Sequence, residues 1–260
     1  MILKDIVSKI EEISPLSLQE EWDNSGFQLK LNSDDSDIHN VYVCLEATSE
    51  NIEDAIAKKA DFIVTHHPLI FTELRNVSVG DTVGKMIKRL VESGISLYST
   101  HTCFDICDKG NNYQFGKLLG IKDICKIEGD SLSIGRMGLL DKPVTISEFA
   151  DLCERVTGVS KSFYHYTGDR NAVINKVSWV TGSGSEFMNL SKNNGCDLFV
   201  TGALKYHTAR EAVENGINVL DIGHYASEKL FTDCMADIIS SFGELNVLRS
   251  DIDINPFTEL

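Results

Sequence analysis

Residues 41–65 and 177–201 overlay without a gap, and this internal repeat constrains the fold more than any other feature of the chain. The overlay pairs Val41 with Val177, Ser49 with Ser185, Glu50 with Glu186, Asp61 with Asp197, Val64 with Val200 and Thr65 with Thr201. Each copy reads as strand, helix, strand, and the second strands end in ADFIVTHH and CDLFVTGA. A helical stretch follows each copy, and then a strand opening on Gly-Ile, GISLYSTH or GINVLDIGH. Strands alternating with helices predict an α/β architecture with mixed, largely parallel sheets. The repetition predicts two related α/β lobes facing each other.

The rest of the chain fits that alternation. A helix is expected over 3–13, stopping before Pro15. A loop carries EEWDNSGFQL, and an acidic connection spans 32–40. Strand 41–45, helix 50–59, the strand ending at His66, helix 82–93 and the strand ending near Thr100 come next. A helix over 113–119 and an extended stretch over 134–140 follow. Thr145 and Glu148 have the spacing of a capping box for a helix running to 156. Strand 177–180, helix 186–193, strand 198–200, helix 204–214 and strand 217–220 complete the series. Ala226, Leu230, Phe231, Cys234, Met235 and Ile238 then recur at helical period.

Metal-ligand residues gather at the expected strand ends. His66-His67 closes an apolar run and precedes Pro68. In mid-strand the two imidazoles would point to opposite faces. Pro68 cannot continue a ladder, so the chain can turn there and bring both rings to one pocket. His101 and Asp105 stand in HTCFD after a strand and are expected in a strand-end loop. His224 and Glu228 are four apart on the last helix, hence on one face. Four imidazoles and two carboxylates suit a two-metal centre. Each pair alone also has a structural reading, as surface or hydrogen-bonding residues. Imidazole with carboxylate suits zinc, iron, manganese, cobalt or nickel, and the lack of thiolates argues against copper(I) or iron–sulfur chemistry.

Composition narrows the partners. A formal charge of −15 argues against a nucleic-acid-binding surface. Seven cysteines without a C-x-x-C pair indicate neither a disulfide framework nor a zinc ribbon, and fit reduced thiols in a cytoplasmic protein. No apolar run approaches a membrane span, and the amphipathic start MILKDIVSKIEEIS lacks the continuous apolar stretch of a signal peptide. No P-loop or G-x-G-x-x-G cradle is present. The Gly182-Ser183-Gly184 turn reads equally as an anion-binding turn or a plain connection.

WDNSG (Trp22–Gly26), VTHHPLIF, HTCFD, SIGRMG (Ser133–Gly138), GSG, VTGALKYH and GHYASE together resemble the NIF-three-like family, known as GTP cyclohydrolase 1 type 2 homologues. The resemblance implies two intertwined α/β lobes, a dinuclear divalent-metal centre between them and a homohexamer. It implies His66, His67, Asp105, His224 and Glu228 as ligands, with His101 beside them as proton shuttle or supporting partner. The length implies the short form without an inserted domain. On this reading 1–125 with 221–260 form the lobe carrying the ligands, and 126–220 form the second lobe. Glu46 and Cys103 stand where the family commonly has aspartate and asparagine. The activity implied is hydrolysis of a small molecule, with a nucleotide as the candidate, by a metal-activated water. Tyr206 and His207 are candidate substrate contacts. The alternative is a non-catalytic metal-binding or interaction protein.

Overall fold

The computed structural model describes residues 1–132 and 134–258, so Ser133 of the SIGRMG motif lies outside the described residues. In chain order the first elements are α1 (Leu3–Ile13), β1 (Gly26–Leu29), β2 (Asn40–Cys44), α2 (Ser49–Ala57), β3 (Phe62–Thr65), α3 (Thr82–Ser93), β4 (Ser96–Ser99), α4 (Thr102–Ile106) and α5 (Asn111–Leu118). Then come β5 (Lys122–Lys126), β6 (Arg136–Thr145), α6 (Ile146–Thr157), β7 (His165–Thr167), β8 (Val173–Trp179), α7 (Met188–Asn193) and β9 (Leu198–Thr201). The last are α8 (Tyr206–Glu214), β10 (Val219–Asp221), α9 (His224–Glu228), α10 (Phe231–Ser240) and β11 (Asn246–Arg249).

The chain forms two compact units. The first comprises Met1–Cys107 with Phe231–Ile254, and the second comprises Asp108–Leu230 with the residues from Asn255. The first holds a five-stranded sheet in the order β1-β4-β3-β2-β11, parallel except where β1 meets β4. The second holds six strands in the order β5-β6-β8-β9-β10-β7, with parallel pairing only in β8-β9-β10. The fold class is therefore the expected one, α/β with two mixed sheets.

The expected lobe boundaries shift. Residues 108–125 belong to the second unit, where β5 pairs with β6 and the Trp179 indole donates to the Asn112 carbonyl at 2.7 Å, and so do residues 221–230, where Ser227 accepts the Gly182 amide at 2.8 Å and Asp221 that of Leu204 at 2.9 Å. The continuous last helix is also two helices, α9 and α10, and the chain passes from the second unit to the first between them. The ligand candidates are thus divided: His66, His67, His101 and Asp105 in the first unit, His224 and Glu228 in the second.

The repeat holds in hydrogen-bond detail. β2 pairs with β3 as Val41 with Phe62, and β8 with β9 as Val177 with Leu198, the same register 136 residues on. One Asp61 carboxylate oxygen accepts the amides of His39 and Asn40 at 2.9 and 2.8 Å. Asp197 accepts those of Asn175 and Lys176 at the same two distances. Each aspartate pins the entry of one strand to the entry of the next, which is why it recurs in both copies. The following strands match too, since Thr100 donates its amide to the Thr65 carbonyl and Ile222 donates to that of Thr201.

Local chemistry explains the element ends. Thr48 accepts the Asn51 amide to start α2, and Asp81 accepts that of Gly84 to start α3. Gly94, at φ 69°, ends α3 in the left-handed conformation. The Thr145–Glu148 capping box forms as expected. In the second unit Trp179, Phe115, Phe149 and Val177 form the centre of a buried cluster. A Cβ at Gly116, inside α5, would come within 2.3 Å of that indole. Alanine normally favours a helix interior over glycine by up to about 1 kcal/mol. Here overpacking should dominate, and Gly116→Ala is expected to destabilise by about 1–3 kcal/mol in thermal or urea unfolding. A more stable variant would show that the indole can move aside.

Candidate metal centre

In the first unit the chain curls tightly after β3. The amides of His66 and His67 both donate to the Leu45 carbonyl, at 3.2 and 3.1 Å. That shared acceptor breaks the strand's alternation and leaves the adjacent rings 5.0 Å apart and inclined by 39°. His66 is fully buried. Its Nδ1 faces the Thr100 carbonyl at 3.0 Å, and a carbonyl can only accept, so Nδ1 carries the proton and Nε2 is the nitrogen that could hold a metal ion. Asp105 Oδ2 lies 3.6 Å from that Nε2. This is too long for a hydrogen bond and suits two donors sharing one ion at bonds of about 2.0–2.2 Å.

Asp105 lies on a short helix, not in the expected loop, and His101 stands at the residue before that helix. His101 caps α4, and Asp105 donates its amide to the His101 carbonyl in the first turn. Thr, Cys, Phe and Asp give this helix poor intrinsic propensity. Its support comes from far away in sequence, since Asp23 Oδ2 accepts the Thr102 amide at 3.1 Å and the Thr102 hydroxyl at 2.5 Å. Asp23 Oδ1 meets His101 Nδ1 at 2.8 Å, and Ser25 donates its hydroxyl to the same carboxylate. Burial pushes the Asp23 carboxyl up, but His101, Thr102 and Ser25 outweigh it and hold it well below the usual carboxylate range. An ionised Asp23 fixes the proton on His101 Nδ1 and leaves Nε2 for chemistry. One ring nitrogen from each of His66, His67 and His101 lies within 4.8 Å of the other two.

In the second unit His224 Nε2 and Glu228 Oε2 are 2.8 Å apart on α9, and Glu228 is buried. The glycines of GSG and TGA make room beneath them. A Cβ at Gly182, whose φ is +66°, would stand 2.1 Å from Glu228 Oε1. One at Gly202 would meet the Ser227 hydroxyl at 2.6 Å and the His224 Cα at 2.8 Å. Gly182 donates its amide to the Ser227 hydroxyl, which donates to the His224 carbonyl, both at 2.8 Å. Gly184 donates to the Thr201 hydroxyl at 3.3 Å. The Gly182 amide is therefore directed to α9 and the Gly184 amide to β9, so both glycine amides of the GSG turn serve the fold. Tyr206 and His207 open α8, both exposed, stacked edge to face at 5.5 Å. Glu46 is exposed, and Cys103 is buried against the Thr100 and Ser25 hydroxyls.

A family model described as Duf34/NIF3 (NGG1p interacting factor 3) matches residues 1–256. The chain belongs to this family. It is 36% identical over 233 residues to a GTP cyclohydrolase 1 type 2 homologue of Clostridium perfringens, covering 88% of this chain and 87% of that one. It is 32% identical over 252 residues to the GTP cyclohydrolase 1 type 2 of Helicobacter pylori strain J99, with 96% of each covered. Among solved structures, reduced HcgD from Methanocaldococcus jannaschii is similar at 26% identity and a TM-score of 0.84, covering 97% and 98% of the two chains. A Staphylococcus aureus hypothetical protein shares the fold at a TM-score of 0.92 and 24% identity, covering 100% and 99%. Among the described residues no helix is long and apolar enough to cross a membrane.

This NIF3-family chain has residues around the candidate site that the sequence left without a role, Asp23, Gly202 and Ser227, and one, Gly182, whose part in seating α9 differs from either reading of its turn. WDNSG, GSG and GHYASE drew attention as motifs. Nothing local in them told that Asp23 serves a helix almost eighty positions away or that Ser227 holds a glycine turn.

Proposed function

We propose that this protein is a metal-dependent hydrolase with a dinuclear divalent-metal centre. The orientation of His66 carries the reading. Its Nδ1 proton is committed to the Thr100 carbonyl, so its Nε2 lone pair faces the Asp105 carboxylate at 3.6 Å. Two electron-pair donors set face to face suit a cation. His66, His67, Asp105, His224 and Glu228 are the residues that would hold the ions. Zinc, iron, manganese, cobalt and nickel all suit such ligands. Bound divalent ions would supply Lewis-acid polarisation and a water of lowered pKa.

The chain's own residues would do the rest. Asp23 would keep His101 in the tautomer whose Nε2 can take a proton from the attacking water and return it to the leaving group. Thr100 would hold the His66 ring, and Ser227 would hold the turn under Glu228. The relatives' names support a nucleotide as substrate, with Tyr206 and His207 as possible contacts, and family membership supports a cytoplasmic hexamer.

Metal analysis of purified protein is the first test, with up to two divalent ions per chain expected. Well under one would sink the centre. A screen of nucleotides and phosphoesters should then show turnover that is lost on chelation and restored by the native metal. Full occupancy without turnover would assign a metal-binding role instead.

A further inference from the structure

Two large aromatic side chains of the first unit stand in solvent beside the imidazole cluster. Trp22 is 58% exposed and Phe71 52% exposed, whereas the second tryptophan, Trp179, is wholly buried. The Trp22 and Phe71 rings lie 5.8 Å apart at 50°, and both meet His101, at 5.8 and 6.1 Å, nearly edge to face. Their backbones are tied together. Asn24 donates its side-chain amide to the Ile70 carbonyl at 2.6 Å, and Ile70 donates its amide to Gln28 Oε1 at 3.0 Å. Gln28, a buried polar residue on β1, closes the loop by donating to the Asn24 carbonyl at 2.6 Å. This network fixes the segments on either side of two exposed rings, so a ligand stacking there would not have to order them.

We propose that Trp22 and Phe71 form a stacking platform for a planar heteroaromatic ring of the ligand that reacts beside His101. An exposed indole with an aromatic neighbour presents a π-face that any nucleobase-like ring can cover. The platform recognises the ring by its face and not by its edges, so it selects planar aromatic rings, nucleobases among them, as a class. It rests on the reading of the imidazole group as the reacting centre, and it deepens that reading by naming the substrate's shape.

The test uses guanosine 5′-monophosphate and ribose 5-phosphate as probes of the full-length protein. Both carry the phosphate, and only the first carries the ring. Trp179 is buried with its indole N–H bonded to Asn112, so ligand-induced quenching of tryptophan emission reports on Trp22. Guanosine monophosphate should quench and ribose 5-phosphate should not. By calorimetry Trp22→Leu should weaken guanosine monophosphate about 5- to 150-fold, and Trp22→Phe should recover part of the loss. Phe71→Ala should weaken it in the same direction. Equal affinity for the two probes, or unchanged affinity in Trp22→Leu, overturns the proposal. So does a smaller assembly in these variants with nucleotide affinity intact, which would make the rings a contact between copies of the chain. Metal content measured on the same samples separates the two readings. Wild-type occupancy without ring-dependent binding sinks the platform alone, and ring-dependent binding to a protein without metal sinks the centre alone.

Discussion

Gly182→Ala is expected to strip the protein of most of its metal and to lower its melting temperature. Two effects combine at this position. The φ of +66° is left-handed, which costs an L-residue about 1–2 kcal/mol. The new methyl would also stand 2.1 Å from Glu228 Oε1 and 3.3 Å from His224 Nε2. The carboxylate cannot simply swing aside into water, because Glu228 is buried. The turn cannot easily retreat, because its amide is bonded to Ser227 and its carbonyl accepts the Gly202 amide at 2.8 Å. Metal affinity should fall by at least the 10–100-fold that loss of a supporting partner typically costs. Gly195→Ala is the matched control, with a φ of +67° and nothing within 4 Å of the added atom. It carries the backbone strain without the collision. Metal content and thermal melts that agree for the two variants would show that Glu228 is indifferent to its position.

Asp23→Asn should separate what Asp23 does for the site from what it does for the fold. The amide keeps the carboxylate's shape but carries no charge, and it can turn to present N–H where His101 needs an acceptor. Turnover should drop about 10–100-fold with metal content retained, because the imidazole loses its fixed tautomer. The stability effect has a defined sign. The folded carboxyl is depressed below the ordinary aspartate value of 3.8. Its contribution is therefore present above that value and disappears as pH falls through the folded pKa. The stability gap between wild type and Asp23→Asn should be largest near neutrality and should close in strong acid. A gap that stays constant down to about pH 2 would contradict this origin.

The strand–helix alternation and the ligand types were legible because both are local. Phe62-Ile63-Val64 reads as a strand, the Thr145–Glu148 spacing reads as a cap, and a histidine pair before proline stands out in any context. The structure departs where distant residues decide. Helix α4 forms because Asp23 caps it from the far side of the chain, so HTCFD looked like a loop. Strands β1, β5, β7 and β11 are short sheet edges or near-edges whose pairing with partners, not pattern, defines them. The unit boundary moved because the packing of Phe115 and Leu119 around Trp179, the bonds of Asn112 and the pairing of β5 with β6 draw 108–125 into the second unit, and none of these leaves a mark in composition.

Gly202 fixes the division of labour between the two copies of the repeat. It occupies the position that His66 holds in the first copy, and α9 is packed so closely over it that even one methyl group would strike Ser227 and the backbone of His224. A histidine pair could not be grafted there without expelling the helix that carries His224 and Glu228. The repeat therefore cannot be restored to equivalence by substitution at the ligand positions. One copy is committed to presenting imidazoles at the end of its strand, and its twin is committed to seating a helix in the corresponding place.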